Sequence, residues 1–227
     1  MKTIEENIRD VEAKIAAACA RVGRDPSEVT LIAVTKTVKP ETAQLAVDAG
    51  IKNVGENRVQ EYRNKRENLD PQINVHFIGQ LQRNKVKYIV SDVACIHSVD
   101  RLSLAQEISR RAQGANVSVR VLIQVGFDDD ENRGGVAPEE LPLLARQIED
   151  MPGLELCGLM CVAPVDADAQ QTRAVFRQLR LLREELSQML GRKLEHLSMG
   201  MSGDYQMAVE EGATFVRVGT TIFGARV

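Results

Sequence analysis

The sequence predicts an α/β fold, a (β/α)8 TIM barrel with an additional N-terminal helix. Three observations predict it. The 227 residues suffice for one large domain with a substantial core. Short β-rich runs alternate with helical patterns, and the first five runs start 21 to 23 residues apart, which is the length of a strand, a loop and a short helix. Eight such runs are present, and eight parallel strands alternating with helices close naturally into a barrel.

The N-terminal helix comes first. Apolar residues recur at steps of three and four up to Gly23, which makes one apolar stripe on a helix over residues 4–22. The stripe consists of Ile4, Ile8, Val11, Ile15, Cys19 and Val22.

The predicted strands follow in order. They cover residues 31–36, 53–57, 74–79, 95–100, 118–126, 154–163, 196–200 and 215–220. Further helices are predicted over 138–149, 168–190 and 203–211. An open doubly wound sheet is the alternative, but no GxGxxG follows the first strand and eight units exceed its usual count. Because no Pro/Gly/Ser-rich linker interrupts the pattern, we expect residues 1–227 to form a single domain.

Composition excludes several functions. With 29 Lys+Arg against 32 Asp+Glu, 4% aromatic residues and no Trp, the chain lacks the basic field and the stacking surface of a nucleic-acid binder. No apolar run approaches the ~18 residues of a membrane span, and the N-terminus is acidic where a signal peptide is apolar. We therefore expect a cytoplasmic protein that binds neither nucleic acid nor membrane.

Cysteines and histidines show no metal-binding spacing. Without a CxxC pair, the four cysteines are expected to be buried free thiols, and the histidines to be hydrogen-bonded residues of the core or its rim, with no metal. They are Cys19, Cys95, Cys157, Cys161, His76, His97 and His196. The acidic residues 128–131 and the basic cluster Arg83, Lys85 and Lys87 are read as solvated surface, although the basic cluster is able to attract a second phosphate.

In such a barrel the functional groups lie at the C-terminal ends of the strands, and the first strand ends in Lys36. Two interpretations remain open at this point. Lys36 is either an exposed lysine whose stem covers apolar surface, or a partly desolvated amine with a lowered pKa, nucleophilic toward a carbonyl group.

Strands seven and eight end in Gly200-Met201-Ser202-Gly203-Asp204 and Gly219-Thr220-Thr221. Glycines with hydroxyl side chains and free N–H groups are suited to a phosphate monoester, and loops after these two strands commonly hold phosphate. Arg217 shares its side of strand eight with Gly219 and is predicted to point toward the barrel mouth.

An amine, a phosphate loop pair and an inward arginine together describe a site for pyridoxal 5′-phosphate (PLP), the vitamin B6 cofactor. The aldehyde would meet Lys36, the phosphate the two loops, and the ring nitrogen Arg217. Because arginine is always cationic, it cannot take a proton from the ring, which would stay neutral and withdraw electrons weakly.

These residues lie in segments that resemble the pyridoxal phosphate homeostasis proteins over almost the whole chain. The segments are AVTK (33–36), GENRVQE (55–61), HFIGQLQRNK (76–85), HSVD (97–100), GLM (158–160) and LSMGMSGDYQMAVEEGATFVRVGTTIFGAR (197–226). Arg58 and Cys161 depart from the usual family pattern at the edges of the expected pocket.

The resemblance implies a fold like the N-terminal barrel of alanine racemase, with PLP bound covalently as an internal aldimine (Schiff base) on Lys36. It implies that Arg217, supported by Ser198, approaches the ring nitrogen. It also implies that Ser202, Gly219 and Thr220, in the loops after strands seven and eight, hold the phosphate. Asn57 and Met160 are implied to line the pocket. The other residues expected to bind the cofactor are Asn57, Met160, Met201, Ser202, Gly219 and Thr220.

We expect a monomer that buffers PLP or delivers it transiently to PLP-dependent apo-enzymes, without turnover. The alternative is an amino-acid racemase. Racemisation on this fold uses a second base, a tyrosine from a separate C-terminal domain of a partner subunit. The chain ends at Val227, seven residues after Thr220, and is not expected to contain that domain. Tyr205 is expected to pack against a helix, and a sugar-phosphate aldolase using Lys36 is a third possibility.

Overall fold

A computed structural model describes residues 2–127 and 134–224. Eight parallel strands form a closed barrel in chain order, and the first pairs with the last, with Ile32 opposite Arg217. The strands are β1 (Thr30–Val34), β2 (Asn53–Glu56), β3 (Asn74–Phe77), β4 (Cys95–Val99), β5 (Val119–Gln124), β6 (Leu154–Met160), β7 (His196–Ser198) and β8 (Phe215–Val218). The predicted barrel is confirmed, and the acidic run at 128–131 lies outside the described residues.

Helices follow the strands on the outside of the barrel. They are α1 (Ile4–Arg21), α2 (Pro40–Asp48), α3 (Val59–Arg66), α4 (Leu102–Ala115), α5 (Leu141–Glu149), α6 (Ala169–Leu190), α7 (Tyr205–Glu210) and α8 (Thr220–Phe223), with 3₁₀ helices at Pro26–Glu28 and Arg83–Tyr88. Helix α5 begins later than the predicted residue 138, because Pro142 occupies the first turn, where its missing N–H costs no hydrogen bond.

The predicted strand ends are one to three residues too long. Strand β1 ends at Val34, so Lys36 lies in the turn that follows. Thr35 still donates its N–H to the Gly55 carbonyl at 3.0 Å, so the sheet bonding continues one residue past the strand. Residues just past a strand end have the same amino-acid composition as the strand but lack its regular hydrogen bonds to the neighbouring strand. A sequence pattern therefore does not distinguish them from the last residues of the strand.

Two hydrophobic clusters stabilise the barrel. The larger lies between the strands and the helices, and the smaller fills the barrel interior. The interior cluster consists of Ile32, Cys95, Leu122, Cys157, Met160 and Phe215. All four cysteines are buried free thiols, as predicted.

Helix α1 connects the start of the chain to the last repeat. A capping box formed by Thr3 and Glu6 starts this helix. The Asn7 side chain donates to the Ile222 carbonyl at 2.9 Å, and Arg24 donates to the carbonyls of Val209 and Ala213 at 2.6 and 3.0 Å.

None of the helices in residues 2–127 and 134–224 has the length and apolar character needed to cross a membrane.

Candidate functional site

A cavity of about 360 Å³ lies at the C-terminal end of the barrel strands. It contains seven of the nine residues predicted to bind a cofactor: Lys36, Asn57, Met201, Ser202, Arg217, Gly219 and Thr220. The other four lining residues were not predicted to bind the cofactor, although Gly203 lies in the predicted phosphate loop after strand seven; they are Val34, Ile78, Val162 and Gly203. Val34 could have been predicted as a lining residue, because it lies two residues before Lys36 in the predicted strand 31–36 and alternate residues of a strand point to the same side.

The remaining two predicted residues lie beneath the cavity. Met160 is 1% exposed and packs in the barrel interior, and Ser198 is fully buried against Arg217. They therefore support the cavity from below rather than line it.

Lys36 is half-buried, and the peptide before it is held by a buried ion pair. Lys65 donates from Nζ to the Thr35 carbonyl and to Glu56 Oε1, the latter at 2.9 Å. The Thr35 hydroxyl donates to the same carboxylate oxygen at 2.5 Å. Lys65 is 5% exposed and Glu56 1%. Burial raises the pKa of Glu56, and the hydrogen bonds from Thr35 and Lys65 oppose that rise.

The peptide after Lys36 is held as well. Thr37 has a φ of 61°, a left-handed conformation that costs a β-branched residue about 1–3 kcal/mol. Its N–H donates to Glu61 Oε2 at 2.7 Å, which stabilises the strained turn. Glu56, Glu61 and Lys65 were not predicted as site residues, although the first two lie in the segment 55–61 that carries the family resemblance.

Asn57 faces the cavity from the end of β2. Its side-chain oxygen is buried and has no hydrogen-bond partner among the residues the structure describes. Gly79 packs against its backbone so closely that a Cβ would lie 2.1 Å from the Asn57 carbonyl oxygen. The glycine therefore allows β2 and β3 to end side by side at the cavity.

The loop after β7 requires a glycine at its start. Gly200 has a φ of 91°, and a Cβ there would lie 2.6 Å from the Ala208 Cβ. The turn that follows is closed by the Asp204 carboxylate, which accepts from the Met201 N–H at 2.5 Å. Burial raises the pKa of Asp204. The tight turn places Ser202 at the cavity.

Ser202 joins the two predicted phosphate loops. Its hydroxyl oxygen accepts from the backbone N–H of Gly219 at 3.2 Å and of Thr221 at 3.4 Å. Two N–H groups directed at one oxygen are the donors that an anionic oxygen requires. The structure therefore brings these loops together in an arrangement suited to an anion.

Arg217 enters the cavity from the barrel interior, as its position on β8 predicted. It is 4% exposed, and its Nη2 donates to the Cys161 carbonyl at 2.8 Å and its Nη1 to the Ser198 hydroxyl at 2.5 Å. Both acceptors are uncharged. Burial lowers the pKa of Arg217, while Cys161 and Asp204 act to raise it, yet a guanidinium stays cationic in proteins.

Two of the three histidines extend this contact across the barrel. His97 Nδ1 lies 2.8 Å from Ser198 Oγ, and its Nε2 lies 2.9 Å from His76 Nδ1. His76 Nε2 lies 3.1 Å from Asn53 Oδ1. Both rings are buried, as the prediction of hydrogen-bonded core histidines required. Their link to Arg217 was not predicted.

Burial governs the protonation of this pair. It lowers the pKa of His76 to about 3, with smaller contributions from the charges of Arg120 and His196. It lowers the pKa of His97 well below its usual value, and the neighbouring His76 and Arg217 act in the same direction. Both rings are therefore neutral at pH 7.

Tyr205, the tyrosine expected nearest the site, is 3% exposed and packs in the core outside the barrel. This placement agrees with the expected packing role.

The basic cluster after β3 borders a second cavity of about 430 Å³, which Asn57 also lines. Lys85 and Lys87 lie 5.9 and 4.9 Å from the centre of the Tyr88 ring. Arg58, one of the departures from the family pattern, is exposed and pairs with Glu61 at 3.5 Å. This group of cations lies beside the first cavity.

Comparison with known proteins finds a match over residues 2–227 to the family described as alanine racemase, N-terminal domain. A pyridoxal phosphate homeostasis protein from Aquifex aeolicus is 45% identical over 97% of both chains. The protein of that name from Escherichia coli K12 is 35% identical over the whole of this chain and 98% of its own.

Comparison with solved structures also finds similar barrels. PipY of Synechococcus elongatus with PLP bound has a TM-score of 0.84 and 38% identity, covering 92% of this chain and all of that one. Alanine racemase of Streptomyces coelicolor has a TM-score of 0.71 at 21% identity, and the likeness covers 95% of this chain but 58% of that one. The second match shows a shared barrel fold.

Proposed function

This chain belongs to the pyridoxal phosphate homeostasis proteins, within the family of the alanine racemase N-terminal domain, and we propose that it binds PLP in the cavity and buffers or delivers it. The relatives carry the homeostasis name, and PipY has been solved with PLP bound. The observation that carries the proposal is the charge of the cavity, which contains the amine of Lys36 and a buried guanidinium with uncharged protein acceptors.

A buried cation is stable only if polar or anionic groups compensate its lost hydration. PLP has a phosphate group and an aromatic ring whose nitrogen accepts a hydrogen bond, so it fits a cavity with this charge. When bound, its aldehyde supplies a carbonyl group that condenses with a primary amine. Among the described residues that line the cavity, Lys36 is the lysine available for that role.

Three parts of the cavity match three parts of the ligand. Lys36 would hold the aldehyde end covalently, and Arg217 would donate to the ring nitrogen. Ser202, Gly219 and Thr220 would bind the phosphate, next to the N–H groups of Gly219 and Thr221 that converge on the Ser202 oxygen.

The proposal assigns no turnover to this site. A racemase needs a second proton-transfer group on the opposite face of its substrate. Tyr205 packs in the core, and the lining residues with ionisable side chains are Lys36 and Arg217. Arginine does not release its proton, so the cavity lining within residues 2–127 and 134–224 offers one proton-transfer group rather than two. PLP-dependent apo-enzymes are the proposed recipients of the cofactor.

The test is the absorbance spectrum of the full chain with PLP. A visible band is expected that borohydride reduction removes while leaving the modification on Lys36. Lys36→Ala should abolish the band, whereas Lys39→Ala, an exposed lysine three residues on, should leave it unchanged. An unchanged band in Lys36→Ala would overturn the assignment.

Turnover is tested separately. Exchange of the α-hydrogen of a panel of amino acids in deuterated water should not exceed that of free PLP. Faster exchange by the loaded protein, lost in Lys36→Ala, would establish an enzyme instead.

A further inference from the structure

The two buried histidines lie in line with Arg217 and have no place in the function proposed above. The line runs from Arg217 through Ser198, His97 and His76 to Asn53, with successive distances of 2.5, 2.8, 2.9 and 3.1 Å. It crosses the interior of the barrel, since the five residues belong to β8, β7, β4, β3 and β2.

The direction of each hydrogen bond follows from the first donor. A guanidinium only donates, so Ser198 Oγ accepts from Arg217. The serine proton is then free to be donated to His97 Nδ1, which leaves the His97 proton on Nε2. That proton is donated to His76 Nδ1, and His76 Nε2 donates to the Asn53 oxygen. In this arrangement the protons on Ser198 Oγ, His97 Nε2 and His76 Nε2 each have an acceptor, and both rings are neutral.

The reverse direction is less favourable. If His97 donated from Nδ1, the Ser198 oxygen would accept two hydrogen bonds, and its own proton would have no acceptor among the residues the structure describes. A buried donor without an acceptor is costly. The positive charge of Arg217 also favours a serine proton that points away from it.

We propose that His97 and His76 are positioning residues for Arg217, which they hold through Ser198 so that its remaining N–H groups face the cavity. Hydrogen bonds in such a chain strengthen one another, because a hydroxyl that donates is a better acceptor. The Cys161 carbonyl holds Nη2, so the guanidinium plane is fixed at two points. Only the effect on bound PLP rests on the proposed function.

The histidine protons can be measured without cofactor. In ¹⁵N-histidine-labelled full chain, nuclear magnetic resonance should show both rings neutral at pH 7 with the proton on Nε2. A His97 proton on Nδ1 would overturn the proposed direction. Replacing Ser198 by Ala should leave the His76 ring neutral and change the His97 Nδ1 shift.

The effect on Arg217 is tested with a matched set of variants loaded with PLP. His97→Leu removes the acceptor for Ser198, whereas His97→Asn places an amide oxygen near the position of Nδ1 and keeps that acceptor. We expect His97→Leu to shift the absorbance band and to bind PLP about tenfold more weakly, the usual size of one lost hydrogen bond that leaves a buried donor. His97→Asn should stay within about twofold of the original protein.

His196→Leu is the control. His196 contacts the Phe215 ring, with 4.4 Å between ring centres, but its Nδ1 lies 3.3 Å from the Thr214 hydroxyl rather than next to the residues that lead to Arg217. It should leave the spectrum unchanged. If His97→Leu folds, as judged by circular dichroism, and binds PLP with the original spectrum and affinity, the positioning role is wrong. If the original chain itself binds no PLP, the proposed function fails while the nuclear magnetic resonance result still decides the hydrogen-bond direction.

Discussion

The stability of this protein should fall steeply between pH 7 and pH 5 because His76 and His97 are buried as neutral rings. In the unfolded chain a histidine takes up a proton near pH 6.5. In the folded chain neither does so in this range, since burial lowers the pKa of His76 to about 3 and that of His97 well below its usual value. Stability is therefore fully present above pH 6.5 and is lost progressively as the pH falls toward the folded pKa values.

The magnitude follows from linkage. With the unfolded pKa at 6.5 and no folded protonation above pH 5, each ring contributes a loss of about 2 kcal/mol between pH 7 and pH 5. The two rings together contribute about 4 kcal/mol, a large part of the 5–15 kcal/mol typical of a folded protein. Glu56 and Asp204 act in the opposite direction, because burial raises the pKa of each.

The assay is chemical denaturation at pH 7, 6 and 5, followed by circular dichroism, on the original protein and His97→Asn. Because the acids are common to both proteins, their contribution cancels in the difference. His97→Asn should lose about 2 kcal/mol less than the original protein across this range, whatever its stability at pH 7. Equal losses would show that His97 does not change protonation on unfolding and would refute the reasoning.

Three substitutions test other contacts by denaturation at pH 7. Lys65→Met should destabilise the fold by about 3–5 kcal/mol, because it leaves the Glu56 carboxylate buried without its cation. A double variant that also replaces Glu56 by Gln should recover part of that loss. Gly200→Ala should cost about 3 kcal/mol and weaken PLP binding, since its Cβ meets Ala208. Asp168→Ala should cost about 1 kcal/mol by removing the N-cap of α6, with PLP binding unchanged.

The barrel was predictable because strand-like and helix-like segments repeat along the sequence at a nearly constant spacing. Each strand is a short β-rich run, and the repeat length leaves room for little more than one helix. The ends of the strands were not predictable to the residue, as Thr35 shows: its N–H is still bonded to the neighbouring strand although β1 has ended.

The cavity was predictable wherever a strand end and a residue type agreed, as at Lys36 and Ser202. The contacts beneath it were not, because they depend on which residues meet across the barrel. One signal was present all the same: His76 and His97 are 21 residues apart, equal to the spacing of the starts of β3 and β4. In the sheet His76 lies opposite Cys95, so His97 is two residues further along β4 and points to the same face.

The pairing of β1 with β8 has a consequence for synthesis of the protein. At about 5–20 residues per second, the last strand leaves the ribosome roughly 10–40 s after the first. During that time β1 has one unpaired edge, and Asn7 lacks its acceptor 215 positions further along the chain. Lys36 is synthesised early, but Arg217 and the loop after β8, the second of the predicted phosphate loops, are synthesised last. A nascent chain therefore has Lys36 without the rest of the cavity, and under the proposed function PLP would be retained only once the barrel closes.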